Sequence, residues 1–193
     1  MFTGRKKVGK GEAAVATYQF LLGAGYSPHI VDFATPLRHV VCAAFGISWK
    51  DTIDREVKEQ PLNHWPFLSP RQMLQEVGTD LFRARWPEIW VEAWKREASI
   101  VLSQPLGIVI CSDCRFDNEA AAGRDLADCA VVRVSKHPHA DGWADPHSSE
   151  HSTHHIDADF LLKNDATLDA FQSQVLAMAA SLWPPEKINQ NKA

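Results

Sequence analysis

The chain has 193 residues, 45% of them hydrophobic and 23% charged, with a formal net charge of -4. This length and composition suit one self-sufficient globular domain, and no apolar run approaches the ~20 residues that a membrane span needs. The acidic balance argues against a surface strongly coated for DNA while leaving room for a local basic groove, so charge alone does not exclude nucleic acid.

The start of the chain carries neither an apolar signal segment nor an Arg/Ser-rich transit pattern, so no export is expected. Gly4-Arg5-Lys6-Lys7-Val8-Gly9-Lys10 fits G-x-x-x-x-G-K and follows the apolar Phe2. In such a loop, glycines let backbone N–H groups curve around phosphates, the following helix N-terminus adds positive potential, and the lysine bridges the terminal phosphates. Gly4, Arg5, Lys6, Lys7, Val8, Gly9, Lys10, Gly11 and Glu12 are therefore the candidate nucleotide-binding segment. Two features depart from the pattern. Met1-Phe2-Thr3 is short for a full central strand, and Gly11 replaces the Ser or Thr that would reach magnesium, leaving Glu12 to act through water.

Val15, Tyr18, Leu21 and Leu22 recur at helical spacing up to Gly23 and Gly25, which predicts a helix directly after the loop. His29 to Phe33 reads as a short buried strand. Pro36 suits the first turn of a helix running to Phe45, with Gly46 as its stop. Residues 48–66 are charged and weakly periodic and read as a mobile connector. Ser69-Pro70-Arg71-Gln72 forms a capping box opening a helix with Met73, Leu74, Val77 and Leu81 inward.

A further helix is expected from Pro87 to about Ser99, with Trp90, Val91 and Trp94 on one side. Leu106 to Ser112 is the clearest strand, Glu119 to Ala127 a short helix, and Ala130 to Val134 a second buried strand. Asp159 to Leu162 then reads as a strand and Thr167 to Leu182 as a helix, with a frayed tail after Pro184. Alternating short apolar runs and helices predict an α/β fold with a parallel sheet flanked by helices. The expected organisation is one domain over 1–186, a polar lid-like excursion at 135–156, and a tail at 187–193.

Cys42, Cys111, Cys114 and Cys129 include one C-x-x-C, but no second ligand pair has finger spacing, so reduced cysteines of a cytosolic protein are the simpler reading. His137, His139, His147, His151, His154 and His155 crowd the polar excursion. They are a candidate metal cluster, against the plainer expectation of a solvated lid. Ser112-Asp113-Cys114-Arg115-Phe116-Asp117-Asn118-Glu119 follows the clearest strand, where parallel sheets present their ligand sites. There a carboxylate can hold a metal-bound water, and an arginine can grip a phosphate as a planar fork.

Taken together, these segments resemble the bacteriophage deoxynucleoside monophosphate kinases. The resemblance runs collinearly through Gly9-Lys10-Gly11-Glu12, Phe33-Ala34-Thr35-Pro36-Leu37-Arg38, Pro70 to Gln75 with Gly78-Thr79-Asp80, and Trp90-Val91. It continues through Ser112-Asp113-x-Arg115-Phe116-x-Asn118-Glu119, Val132-Arg133-Val134, and Asp159 with Asn164-Asp165-x-Thr167-Leu168. Asp145-Pro146-His147-Ser148-Ser149-Glu150 is similar to a family pattern with one residue inserted, which would let His147 or Glu150 close over the site.

The resemblance implies a P-loop kinase fold, ATP and Mg²⁺ as cofactors, and transfer to a deoxynucleoside 5′-monophosphate giving the diphosphate. It implies Lys10, Asp113 and Arg115 as the catalytic set, with Asp113 in the magnesium environment through water. Arg38, Arg71, Gln75, Trp90, Arg115, Asn118 and Glu119 would bind the acceptor, Trp90 flanking its base and Asn118 and Glu119 orienting Arg115 or reading the acceptor. The expected location is the cytoplasm of an infected bacterial host, with no membrane partner; a homodimer is compatible with the sequence.

Two other readings stay open. Phage kinases that phosphorylate 5-hydroxymethyluracil within DNA share much of this pattern; a hydroxyl acceptor would call on Asp32 or Asp113 as base, and DNA on a basic track. A nucleotide-binding protein without turnover would accommodate Gly11 and the short first strand.

Overall fold

The computed structural model describes residues 1–54, 56–136, 153 and 155–184. The chain divides into two compact units, Met1–Asp32 with Lys95–Ala193, and Phe33–Trp94.

In the first unit, strands β1 (Phe2–Thr3), β4 (Val132–Ser135) and β5 (Phe160–Lys163) form one parallel sheet, and β2 (Ser27–Ile30) pairs in parallel with β3 (Gly107–Ile110). The Phe2 N–H donates to Cys111 O at 2.7 Å, and Thr3 bridges Cys114 in parallel. These contacts join the two sheets in the order β2-β3-β1-β4-β5. The two residues of β1 thus occupy the centre despite their shortness, because both neighbours supply its backbone partners. Phe2, Ile110, Val132, Val134 and Leu162 are buried around it. Each such side chain contributes roughly 1.5–3 kcal/mol of burial.

From β1 the chain passes through α1 (Lys10–Gly23) to β2 on one side, and from β3 through α6 (Asp117–Leu126) to β4 on the other. Right-handed crossovers, the rule for parallel strands, place two such helices on opposite faces, and ligand sites then fall at the carboxyl ends of the strands between them, here β1 and β3. Helix α7 (Leu168–Leu182), capped by Thr167 Oγ1 accepting from the Ala170 N–H at 3.3 Å, packs on α1 through Phe171, Val175, Met178 and Ala179.

The face α1 buries is Ala13, Ala14, Ala16, Thr17 and Leu21, whereas Val15 and Leu22 from the apolar stripe of the sequence are 49% and 56% exposed. Small residues allow α1 to lie close to the sheet and α7, which an apolar stripe by itself does not reveal. The buried strand expected at His29–Phe33 runs instead over Ser27–Ile30, in register with Gly107–Ile110, and its Ile30 is 43% exposed.

The second unit is helical. It holds α2 (Ala34–Phe45), α3 (Trp49–Ile53), a 3₁₀ turn (Val57–Glu59), α4 (Pro70–Gln75), a π-helical stretch (Glu76–Arg83) and the start of α5 (Ile89–Leu102), around Leu37, Val41, Ile47, Met73 and Trp90. Part of the expected connector at 48–66 is therefore ordered: Ser48 and Asp51 exchange capping bonds that start α3. The Ser69–Gln72 capping box forms as predicted. Leu81, expected inward, is 62% exposed, because i→i+5 hydrogen bonding over Glu76–Arg83 breaks the 3.6-residue phase. Among the described residues no helix is long and apolar enough to cross a membrane.

Candidate active site

The glycine-rich loop leaves β1 at its carboxyl end. Gly4 sits at φ 132°, where a Cβ would fall 2.3 Å from Val134 O, and Gly9 at φ 107°, where one would fall 2.6 Å from Asn164 Nδ2. Both positions demand glycine on conformational and steric grounds. Val8 is buried at 6% exposure, pinning the middle of the loop to the core, and its carbonyl accepts from Asn164 Nδ2 at 3.0 Å. Gly9 is the N-cap of α1 and offers no side chain to its first-turn amides, while Gly11 faces open space. Lys10 folds back over the loop, donating from Nζ to Gly4 O at 2.7 Å and Arg5 O at 2.6 Å. The result is a cationic cradle with helix amides at its base, suited to an anionic phosphate chain.

Next to it, the loop after β3 is held from several directions. Asp32, just past β2, accepts the Ser112 N–H at 2.7 Å on Oδ1 and the Ser112 hydroxyl at 2.9 and 3.1 Å on its two oxygens. The Cys111 thiol donates to Asp113 Oδ1 at 3.4 Å; burial, followed by the charges of Asp113 and Asp32, pushes that thiol well above its ordinary range. Glu119, 2% exposed in the first turn of α6, accepts the backbone N–H groups of Arg115 at 2.7 Å and Phe116 at 3.2 Å. The Thr3–Cys114 bridge sets this loop beside the glycine-rich one.

The ligating atoms of Asp32, Cys111 and Asp113 lie within 4.8 Å of one another. Two carboxylates are the hard oxygen donors magnesium takes, whereas a protonated thiol is not. The donor set fits the metal through Asp113, with the Asp32 carboxylate, engaged by Ser112, adding negative charge beside it.

In the second unit, Arg71 pairs with Glu59 at 3.6 Å, and Arg38 lies over the Trp49 ring, 5.9 Å from its centroid. Arg71 and Gln75 stand one turn apart on α4 and share a face. The Gln75 Nε2 atom is buried with no hydrogen-bond partner among the described residues. Trp90 donates its indole N–H to Gly78 O at 2.9 Å and packs on Phe82 with centroids 5.6 Å apart.

Residues 31–175 match the family model described as deoxynucleotide monophosphate kinase. The chain belongs to this family. A protein of Acanthamoeba polyphaga mimivirus named "Putative deoxynucleotide monophosphate kinase" is 30% identical over 158 residues, covering 75% of this chain and 79% of the viral protein. The chain is accordingly a nucleotide kinase.

The matched range contains Asp32, Arg38, Arg71, Gln75, Trp90, Asp113, Arg115, Asn118 and Glu119 of this kinase, whereas the loop Gly4–Glu12 precedes it. Within the first unit the fold gathers that loop, Asp113, Arg115, Asn118 and Glu119 at the carboxyl ends of β1 and β3; Arg38, Arg71, Gln75 and Trp90 belong to the second unit. Trp90, expected to flank the acceptor base, is instead 5% exposed within the core of its unit, since both its ring and its N–H have protein partners.

Two residues of the site had no assigned part in the sequence reading for a monophosphate acceptor. From the sequence, Asp32 is a candidate base for a hydroxyl acceptor, and Asn164 is only part of a segment that matches the family. Position after a strand was the available signal for both.

His137, His139, His147, Glu150, His151 and His154 lie outside the described residues, as does 187–193. All four cysteines are free thiols. A cavity of about 350 Å³ beside β4 and β5, lined by Arg133, His155, Ile156, Asp157, Asp159 and Phe160 among others, holds none of the residues assigned to the nucleotides.

Proposed function

We propose that this kinase is a phage-type P-loop enzyme that moves the γ-phosphoryl group of ATP to a deoxynucleoside 5′-monophosphate in the cytoplasm of an infected bacterial host. The observation that carries this reading is the glycine-rich loop at the end of β1, with Lys10 Nζ on its own Gly4 and Arg5 carbonyls. Phosphate oxygens attract this ammonium more strongly than the two neutral carbonyls do.

In the transfer, an acceptor phosphate oxygen attacks the γ-phosphorus in line. The bond from that phosphorus to the β,γ-bridging oxygen breaks, and ADP leaves with the electron pair. The acceptor is already anionic and needs no strong base. Loop amides and Lys10 hold the donor phosphates. Arg115 holds the phosphoryl group or acceptor phosphate, Arg71 binds the acceptor phosphate with Arg38 in support, and Gln75 Nε2, without a hydrogen-bond partner among the described residues, is available to an acceptor atom. Asp113, with Asp32 behind it, would hold Mg²⁺, which when bound would supply neutralisation of the charge on the transferring phosphates.

The test is label transfer from γ-labelled ATP to each of the four deoxynucleoside monophosphates and, separately, to DNA containing 5-hydroxymethyluracil. Label in a deoxynucleoside diphosphate is expected. Label only in the DNA would replace the acceptor reading, and ATP binding with no transfer to either would reduce the protein to a nucleotide binder.

A further inference from the structure

We propose that Asp32 is a positioning residue of the kinase reaction, setting the loop that carries Asp113 and Arg115 by holding Ser112. The proposal rests on the reading of Asp113 as the carboxylate that organises magnesium. The backbone shows why Asp32 occupies this role. β2 and β3 run in parallel with Ile30 beside Ile110, and the Val31 N–H still donates to Ile110 O at 2.8 Å. The next donor along β3 is the Ser112 N–H, and the Asp32 carboxylate takes it at 2.7 Å. The Ser112 hydroxyl donates to the same carboxylate at 2.9 and 3.1 Å. One side chain thus engages both donors of the residue that directly precedes Asp113.

Asp113 is fixed on its other side too, since Cys111 donates to its Oδ1 and Cys114 bridges Thr3 at the root of the glycine-rich loop. Rotation or translation of Ser112 would carry Asp113 with it and change its distance to the phosphates held by that loop. A carboxylate is suited to the hold because it accepts several bonds at once and binds each more strongly than an amide would. Its charge, with a carboxylate oxygen within 4.8 Å of one of Asp113, also adds to the attraction for a divalent cation there. Groups that support a metal ligand in this way typically alter metal affinity or turnover by about ten- to a hundredfold when removed.

The experiment compares Asp32→Asn, Ser112→Ala and Asp113→Asn with the wild-type chain. For each, steady-state kcat, KM for ATP, the Mg²⁺ needed for half-maximal rate, the thermal midpoint, and Mn²⁺ binding in the presence of a non-hydrolysable ATP analogue followed by electron paramagnetic resonance are measured. Asp32→Asn is expected to lower kcat and weaken Mn²⁺ binding by roughly tenfold or more, with KM for ATP near normal. Ser112→Ala, which keeps the backbone bond, should shift both in the same direction by a few fold.

A purely structural role would lower the thermal midpoint and leave the metal requirement unmoved, which overturns the proposal. Normal turnover and Mn²⁺ affinity in Asp32→Asn with a large fall in Asp113→Asn also overturns it while sparing the Asp113 reading. Normal behaviour in Asp113→Asn sinks that reading and the proposal with it. If Asp32→Asn does not fold, Ser112→Ala decides on the same two readouts.

Discussion

The side-chain amide of Asn164 donates to the carbonyl of Val8 at 3.0 Å, across 156 positions of sequence, and so ties the turn after β5 to the glycine-rich loop. The same amide nitrogen occupies the space a Cβ on Gly9 would need. Asn164→Ala leaves the Val8 carbonyl short of a partner and should cost about 1–3 kcal/mol, with a raised KM for ATP. Gly9→Ala adds backbone strain and a clash with Asn164 and Phe171, and should be the more damaging of the two. Thermal unfolding and ATP titration of both variants check this order.

Lys10→Ala should lower turnover by at least about a hundredfold, because it removes a cation placed for the transferring group. Stability should fall by no more than about 1 kcal/mol, since the ammonium's bonds to the Gly4 and Arg5 carbonyls lie in partly solvated surroundings. Near-normal activity in the folded variant would contradict the assignment of the loop.

Arg71→Ala and Arg115→Ala separate the nucleotide acceptor from a polymer. A free monophosphate carries close to two charges on one group, so either variant should mainly raise the acceptor KM or lower kcat/KM, leaving ATP affinity near normal. A DNA acceptor held along many phosphates would show a steep salt dependence and a smaller effect of each arginine. Transfer measured over a salt series distinguishes these outcomes.

Trp90→Phe keeps an aromatic ring but leaves the Gly78 carbonyl without its indole donor. A core residue in this position predicts a loss of about 1–3 kcal/mol in stability with an unchanged acceptor KM. A raised acceptor KM at unchanged stability would return Trp90 to the base-stacking role.

Burial pushes the thiols of Cys111 and Cys114 well above the ordinary value of 9.0. Neither should react with a thiol reagent in the native protein at pH 8, and both should react after denaturation. A folded-state pKa raised in this way adds stability that is complete below the unfolded value and is lost as pH rises past it. Denaturant midpoints should therefore fall above about pH 9. Native labelling at Cys111 would show that the end of β3 opens more easily than its packing implies.

Local signals were enough for the features that depend on neighbours in sequence. The Ser69–Gln72 capping box, the helix that opens on it, the apolar run of β3 and the glycines of the 4–9 loop all follow from steric and hydrogen-bonding rules acting over a few residues. The inward side of α5 was legible for the same reason, with Trp90, Val91 and Trp94 buried together.

What chain-distant partners decide was not legible. Two residues suffice for β1 because Cys111 and Val132 stand on either side of it, and α1 buries alanines because the sheet and α7 leave room for little more. Leu81 turned outward when the helix after Gln75 widened, a change that a 3.6-residue pattern cannot register. Asp32 and Asn164 likewise look like ordinary polar residues in the sequence. Their parts in the site arise only when the carboxyl ends of parallel strands are brought level, which places Ser112 beside one and Val8 beside the other.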